Sequence, residues 1–88
     1  MTTATLLIVE DDGILAANLE HILIDLGHGV LGPVATGEEA IALLRDHPAD
    51  LVLMDIELAG DLNGIETAEI INRSSDVPIV FITGFSQD

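Results

Sequence analysis

Leu6-Leu7-Ile8-Val9-Glu10-Asp11-Asp12 sets four aliphatic residues in a row and follows them at once with three carboxylates. An unbroken aliphatic run of this length is the pattern of a strand buried on both faces, as in a parallel sheet covered by helices. The same construction returns at Leu51-Val52-Leu53-Met54-Asp55-Ile56-Glu57, where the apolar run again ends in acids. A third apolar run, Val77 to Thr83, carries Pro78 near its start and no charge along its length.

Helical patterns lie between these runs. Leu15, Leu19, Ile22, Leu23 and Leu26 recur at helical spacing, and Gly27-His28-Gly29 supplies a stop. Asp12 is placed to cap this helix near Gly13. Val30 to Ala35 reads as a further strand, and its Gly32-Pro33 interruption suits a sheet edge. Thr36 is a fitting N-cap, with Glu38 and Glu39 where the helix dipole favours acids. Ala40, Ile41 and Leu44 then face inward until His47-Pro48 ends the helix. Asn63-Gly64 opens a third helix that packs Ile65, Ala68 and Ile71 and breaks at Ser74-Ser75-Asp76. The order βαβαβαβ implies an α/β fold with parallel strands and right-handed crossovers.

Composition narrows the function classes. Sixteen acids stand against Arg45 and Arg73, the net charge is −14, and there is no lysine. Such a surface repels phosphate backbones and anionic lipids, so neither nucleic-acid nor membrane binding is expected. It favours divalent cations or a basic partner. The absence of cysteine excludes disulfides and thiolate metal sites. Apolar runs of this length are far short of the ~20 residues that span a bilayer. Met1 to Thr5 carries no basic leader, so the cytoplasm is the expected compartment.

In an open parallel sheet, ligands bind beyond the carboxyl ends of the strands. Three of those ends carry Glu10-Asp11-Asp12, Asp55-Ile56-Glu57 and Thr83-Gly84. Taken singly, Asp12 and Asp55 read as caps of a helix or turn and Thr83 as a strand-end residue. Together they read as a site. Carboxylates ~4 Å apart at an effective dielectric near 20 repel by at most about 4 kcal/mol per pair, so a cation belongs among them. Oxygen-only ligands suit Mg²⁺ better than zinc. A carboxylate beside such an ion is placed to attack a phosphoryl group. His21, His28 and His47 share no metal-ligand spacing and read as solvated helix-end residues; Arg45 and Arg73 read as surface residues.

Leu7-Ile8-Val9-Glu10-Asp11-Asp12, Leu51-Val52-Leu53-Met54-Asp55 and Pro78-Ile79-Val80-Phe81-Ile82-Thr83 resemble the first, third and fourth strands of bacterial two-component response-regulator receiver domains. The resemblance implies a flavodoxin-like doubly wound parallel sheet with strand order 2-1-3-4. It implies that Asp55 is the phosphoacceptor, phosphorylated with Mg²⁺ by a sensor histidine kinase or phosphotransfer protein, in a signalling module that is not itself an enzyme. Asp11 would be a direct Mg²⁺ ligand, Glu10 a ligand through water, and Glu57 a ligand through its backbone carbonyl. Thr83, with Gly84, would bind the phosphoryl group and act as the switch. Two departures stand out. Leu58-Ala59 occupies the place of a common Met-Pro pair, and Gly64 lies nine residues beyond the acceptor rather than eight, so the loop is one residue longer. Receivers also continue into a fifth strand ending in Lys-Pro and a fifth helix. Residues 1–88 are therefore expected to form a receiver domain incomplete at its C-terminus. With its fourth strand at an edge, this form is expected to be a homodimer or larger.

Two alternatives belong to other classes. A phosphatase fragment of the haloacid-dehalogenase type would use Asp55 and Glu57 differently, but that family carries Asp rather than Glu two residues on and has no place for Glu10-Asp11-Asp12. A receiver-like dimerisation module without phosphate cycling would keep the fold and lose the chemistry.

Overall fold

The computed structural model describes residues 3–82. Four strands, β1 (Thr5–Val9), β2 (Gly29–Val34), β3 (Leu51–Asp55) and β4 (Ile79–Ile82), alternate with three helices, α1 (Gly13–Asp25), α2 (Gly37–Asp46) and α3 (Gly64–Asn72). All pairings are parallel and the strand order is β2-β1-β3-β4. From β1 the chain moves one way to β2, then back across β1 to β3 and onward to β4. Right-handed crossovers then put α1 on one face of the sheet and α2 and α3 on the other. The chain is thus a flavodoxin-like, doubly wound sheet. The expectation for Thr83 and Gly84 falls outside the described residues.

Register determines what each face buries. Leu7 pairs with Val52 and Val9 with Met54, and these side chains meet Ala40 of α2, Ile71 of α3 and Leu58 in one core. Leu6 and Ile8, alternate along β1, are buried on the α1 side. Both faces of β1 are closed, which is why its sequence has no polar alternation. At the β4 edge the covering is thinner: Val80 and Phe81, on opposite faces, are 45% and 40% exposed.

The helix ends follow local chemistry. Asp12 caps α1 by accepting from the Ile14 and Leu15 amides. At the other end the Gly27 amide donates to the Ile24 carbonyl and the His28 amide to the Leu23 carbonyl, a Schellman arrangement with Gly27 at φ 93°. Thr36 with Glu39, and Asn63 with Glu66, form reciprocal capping boxes at α2 and α3.

Some sequence expectations need correction. Ile65 is 43% exposed, and Thr67 takes the inward position beside Ala68 and Ile71. The Thr67 hydroxyl is satisfied there by donating to the Asn63 carbonyl at 2.8 Å. Ile22 and Leu26 follow the helical period, yet both are more than half exposed, so α1 buries less of its apolar surface than its pattern suggested. Strand β4 starts at Ile79, leaving Val77 and Pro78 outside it. His21 and His47 are exposed. His28 is half-buried, and its Nδ1 accepts from the Ala4 amide at 3.1 Å, tying the end of α1 to the start of β1. Among the described residues no helix is long and apolar enough to cross a membrane.

Candidate functional site

Strands β1 and β3 run in register, Val9 beside Met54, so the next residue of each, Glu10 and Asp55, emerges side by side at the carboxyl edge. Asp11 follows at the start of the turn into α1. One carboxylate oxygen from each of Glu10, Asp11 and Asp55 lies within 4.8 Å of the others. Glu10 and Asp55 are only 4% and 3% exposed, whereas Asp11 faces solvent.

Each acid is held differently. Glu10 Oε2 accepts from the Asp12 amide at 3.0 Å, while Glu10 Oε1 is buried without a hydrogen-bond partner among the described residues. Asp55 Oδ1 accepts from the Glu57 amide at 3.1 Å. Asp11 Oδ2 accepts from the Ala59 amide, also at 3.1 Å, across the gap between the two loops. Burial, followed by the neighbouring Asp55, pushes the Glu10 carboxyl from its ordinary 4.5 up to about 7. At this spacing and an effective dielectric near 20, each ionised pair repels by at most about 3–4 kcal/mol. A divalent cation would offset the crowded charge and, directly or through water, satisfy the orphaned oxygen. The donors are all oxygens, which suits Mg²⁺.

The residues singled out from sequence divide accordingly. Glu10, Asp11 and Asp55 converge; Asp12 belongs to the helix cap and to Glu10. Glu57 sits in the loop after β3 with an exposed side chain, and it reaches Asp55 through its backbone amide. Thr83 and Gly84 lie outside the described residues.

Three further positions shape the site. Gly64, at the start of α3, lies so close to the Asp55 carbonyl oxygen that any Cβ there would collide with it. Its amide donates to the Ile56 carbonyl at 2.8 Å, so the chain returns to the end of β3. Leu58 is buried in the core and pins the intervening loop. The backbone of Ala59 supplies the amide on Asp11. Gly64 and Leu58 stand out in sequence as a glycine before a helix and an apolar residue in a polar loop; nothing in a sequence marks the Ala59 amide.

Comparison with known proteins bears on the family and the fold. A family model described as the response regulator receiver domain matches residues 6–88. The phyllosphere-induced regulator PhyR of Methylorubrum extorquens is 32% identical over 83 residues, covering 93% of this chain and 31% of that protein. The transcriptional regulatory protein YvrH of Bacillus subtilis is 32% identical over 88 residues, covering all of this chain and 37% of that one. The chain thus spans about a third of the length of these relatives. Among solved structures, the signal receiver domain of a modulated diguanylate cyclase from Desulfovibrio desulfuricans superposes with a TM-score of 0.89 at 44% identity, covering 99% of this chain and 68% of that one. The response regulator PhyR from Brucella abortus gives 0.88 at 36% identity, covering 96% and 35%.

Proposed function

This chain belongs to the response regulator receiver domain family, and from that premise we propose that it accepts a phosphoryl group on Asp55 in a Mg²⁺-dependent reaction, with a sensor histidine kinase or phosphotransfer protein as donor. The observation that carries the proposal is the convergence of Glu10, Asp11 and Asp55, with Glu10 Oε1 buried and without a hydrogen-bond partner among the described residues. Receivers are signalling modules, so the chemistry ends with a modified aspartate rather than a released product.

In this reading Asp11 and Asp55 would hold the ion directly, Glu10 would hold it through water, and the Glu57 carbonyl would complete the protein's share. When bound, Mg²⁺ offsets the charge of the incoming phosphoryl group. The Glu57 amide holds Asp55 Oδ1 and so orients Oδ2 as the attacking atom. An Oδ2 lone pair forms the new O–P bond while the donor's bond to phosphorus breaks, and its electrons leave with the donor. Thr83 and Gly84 receive the phosphoryl oxygens and report the modification. The cytoplasm, where kinases draw on nucleotide, is the compartment this chemistry requires. The co-crystal structure of PhyR from Bartonella quintana with the anti-sigma factor NepR shows one partner that a relative of this chain takes. For the present chain the partners follow from its charge: a surface of net charge −14 selects a basic docking face.

Intact-mass analysis after incubation with acetyl phosphate tests the assignment. One phosphoryl adduct is expected with Mg²⁺ and none with EDTA or in Asp55→Asn. An adduct that survives Asp55→Asn overturns it.

A further inference from the structure

Asp11 is the weak point of the acid cluster. Glu10 and Asp55 are fixed by burial, but Asp11 is exposed and stands at the start of a loop, free to turn outward. Repulsion from two neighbouring carboxylates drives it that way. The hydrogen bond it accepts from outside the cluster runs from the Ala59 amide to Oδ2 at 3.1 Å, between residues 48 positions apart in sequence. That amide is itself well placed, because Leu58 immediately before it is anchored in the core. The contact needs an N–H at position 59, which a proline there would not have.

We propose that the Ala59 backbone amide is a positioning group for the divalent-cation site, holding Asp11 inward so that the third acid is in place before the ion arrives. The inference rests on the metal reading above. A hydrogen bond from an N–H partly offsets the carboxylate's charge, so the cluster keeps its geometry at lower cost than three bare acids would. One carboxylate oxygen can receive the amide while the other faces the cluster, so the bond supports the ion rather than competing with it. Groups that orient metal ligands in this way typically carry 10–100-fold in metal affinity, and an exposed contact belongs at the lower end, about tenfold.

The test uses chemically synthesised chain in which lactic acid replaces Ala59, exchanging the amide for an ester and removing only the N–H. Ala59→Pro removes it by mutation, and Ala59→Gly keeps it. Mn²⁺ and Mg²⁺ are titrated by calorimetry, and metal-free melting is followed in parallel. The ester and proline variants are expected to bind each metal about tenfold more weakly than wild type, with Ala59→Gly unchanged and the metal-free melting point of the ester preserved. Equal or tighter binding by the ester overturns the proposal. So does a lowered metal-free melting point with undiminished affinity, which would make the contact merely structural. If wild type itself binds neither metal, the metal reading fails, and this inference with it.

Discussion

Replacing Glu10 by Gln tests how the acid cluster is balanced when no metal is present. Glu10 is almost fully buried, one of its oxygens has no partner among the described residues, and burial pushes its carboxyl from 4.5 up to about 7. Between those two values the folded chain holds a proton that the unfolded chain has already released. The Glu10 contribution to stability in EDTA therefore falls as pH rises from about 4.5 and levels off above about 7. A displacement of this size corresponds to at most about 3–4 kcal/mol lost at the alkaline end. Gln has nearly the same shape, keeps an oxygen for the Asp12 amide and brings an N–H₂ that Asp55 can accept. In EDTA at about pH 8, Glu10→Gln is expected to stabilise the protein by about 1–3 kcal/mol, the range allowing for relaxation around the charged form. For a domain of this length each kcal/mol moves the melting point by about 4–8 °C. At about pH 4.5 the two proteins should melt together. Saturating Mg²⁺ should reverse the order, because the ionised Glu10 then has its counter-charge and Gln does not. Thermal melts of both proteins across pH, with EDTA or Mg²⁺, provide the assay. A difference between them that is independent of pH in EDTA, or a Gln variant less stable than wild type at pH 8, would refute the reasoning.

Other perturbations address neighbouring parts of the structure. Mg²⁺ at a hundred times its Kd should stabilise wild type by about 2.7 kcal/mol and Asp11→Asn by much less; equal melting shifts would remove Asp11 from the site. Gly64→Ala forces a methyl against the Asp55 carbonyl and is expected to cost about 1–3 kcal/mol in urea unfolding, together with slower acetyl-phosphate labelling; an unchanged midpoint would show that the start of α3 yields freely. The β4 edge, with Val80 and Phe81 exposed on its two faces, should make the 88-residue chain self-associate through that edge or by exchange of elements. Light scattering over a dilution series, with Val80→Lys as the disrupting variant, checks this, and a monomer throughout would mean that the edge is protected.

How much was legible in the sequence varies with the range of the interaction. Element type follows from patterns within one turn or strand, so the aliphatic runs at Leu6–Val9 and Leu51–Met54 announced buried parallel strands. Thr36, Asn63 and Asp12 likewise announced helix starts. The alternation of elements then implied the crossover topology, and with it that acids at strand ends would gather at one edge. All of this is local chemistry plus chirality. Which face of a helix is covered is a different matter: Ile65 and Thr67 are two residues apart on α3, and only the placement of α2 beside them turned Thr67 inward. Likewise, β1 and β3 are separated by more than forty residues, and a slip of one position would have sent Glu10 and Asp55 to opposite faces. Register, closed by core packing of Leu7, Val9, Val52 and Met54, is what placed the two carboxylates together. It also left Glu10 Oε1 alone and raised the Glu10 carboxyl. The Ala59 amide shows the limit most clearly. A backbone N–H is common to every residue but proline, so no pattern of side chains distinguishes the one that meets Asp11, and only the folded path of two loops decides it.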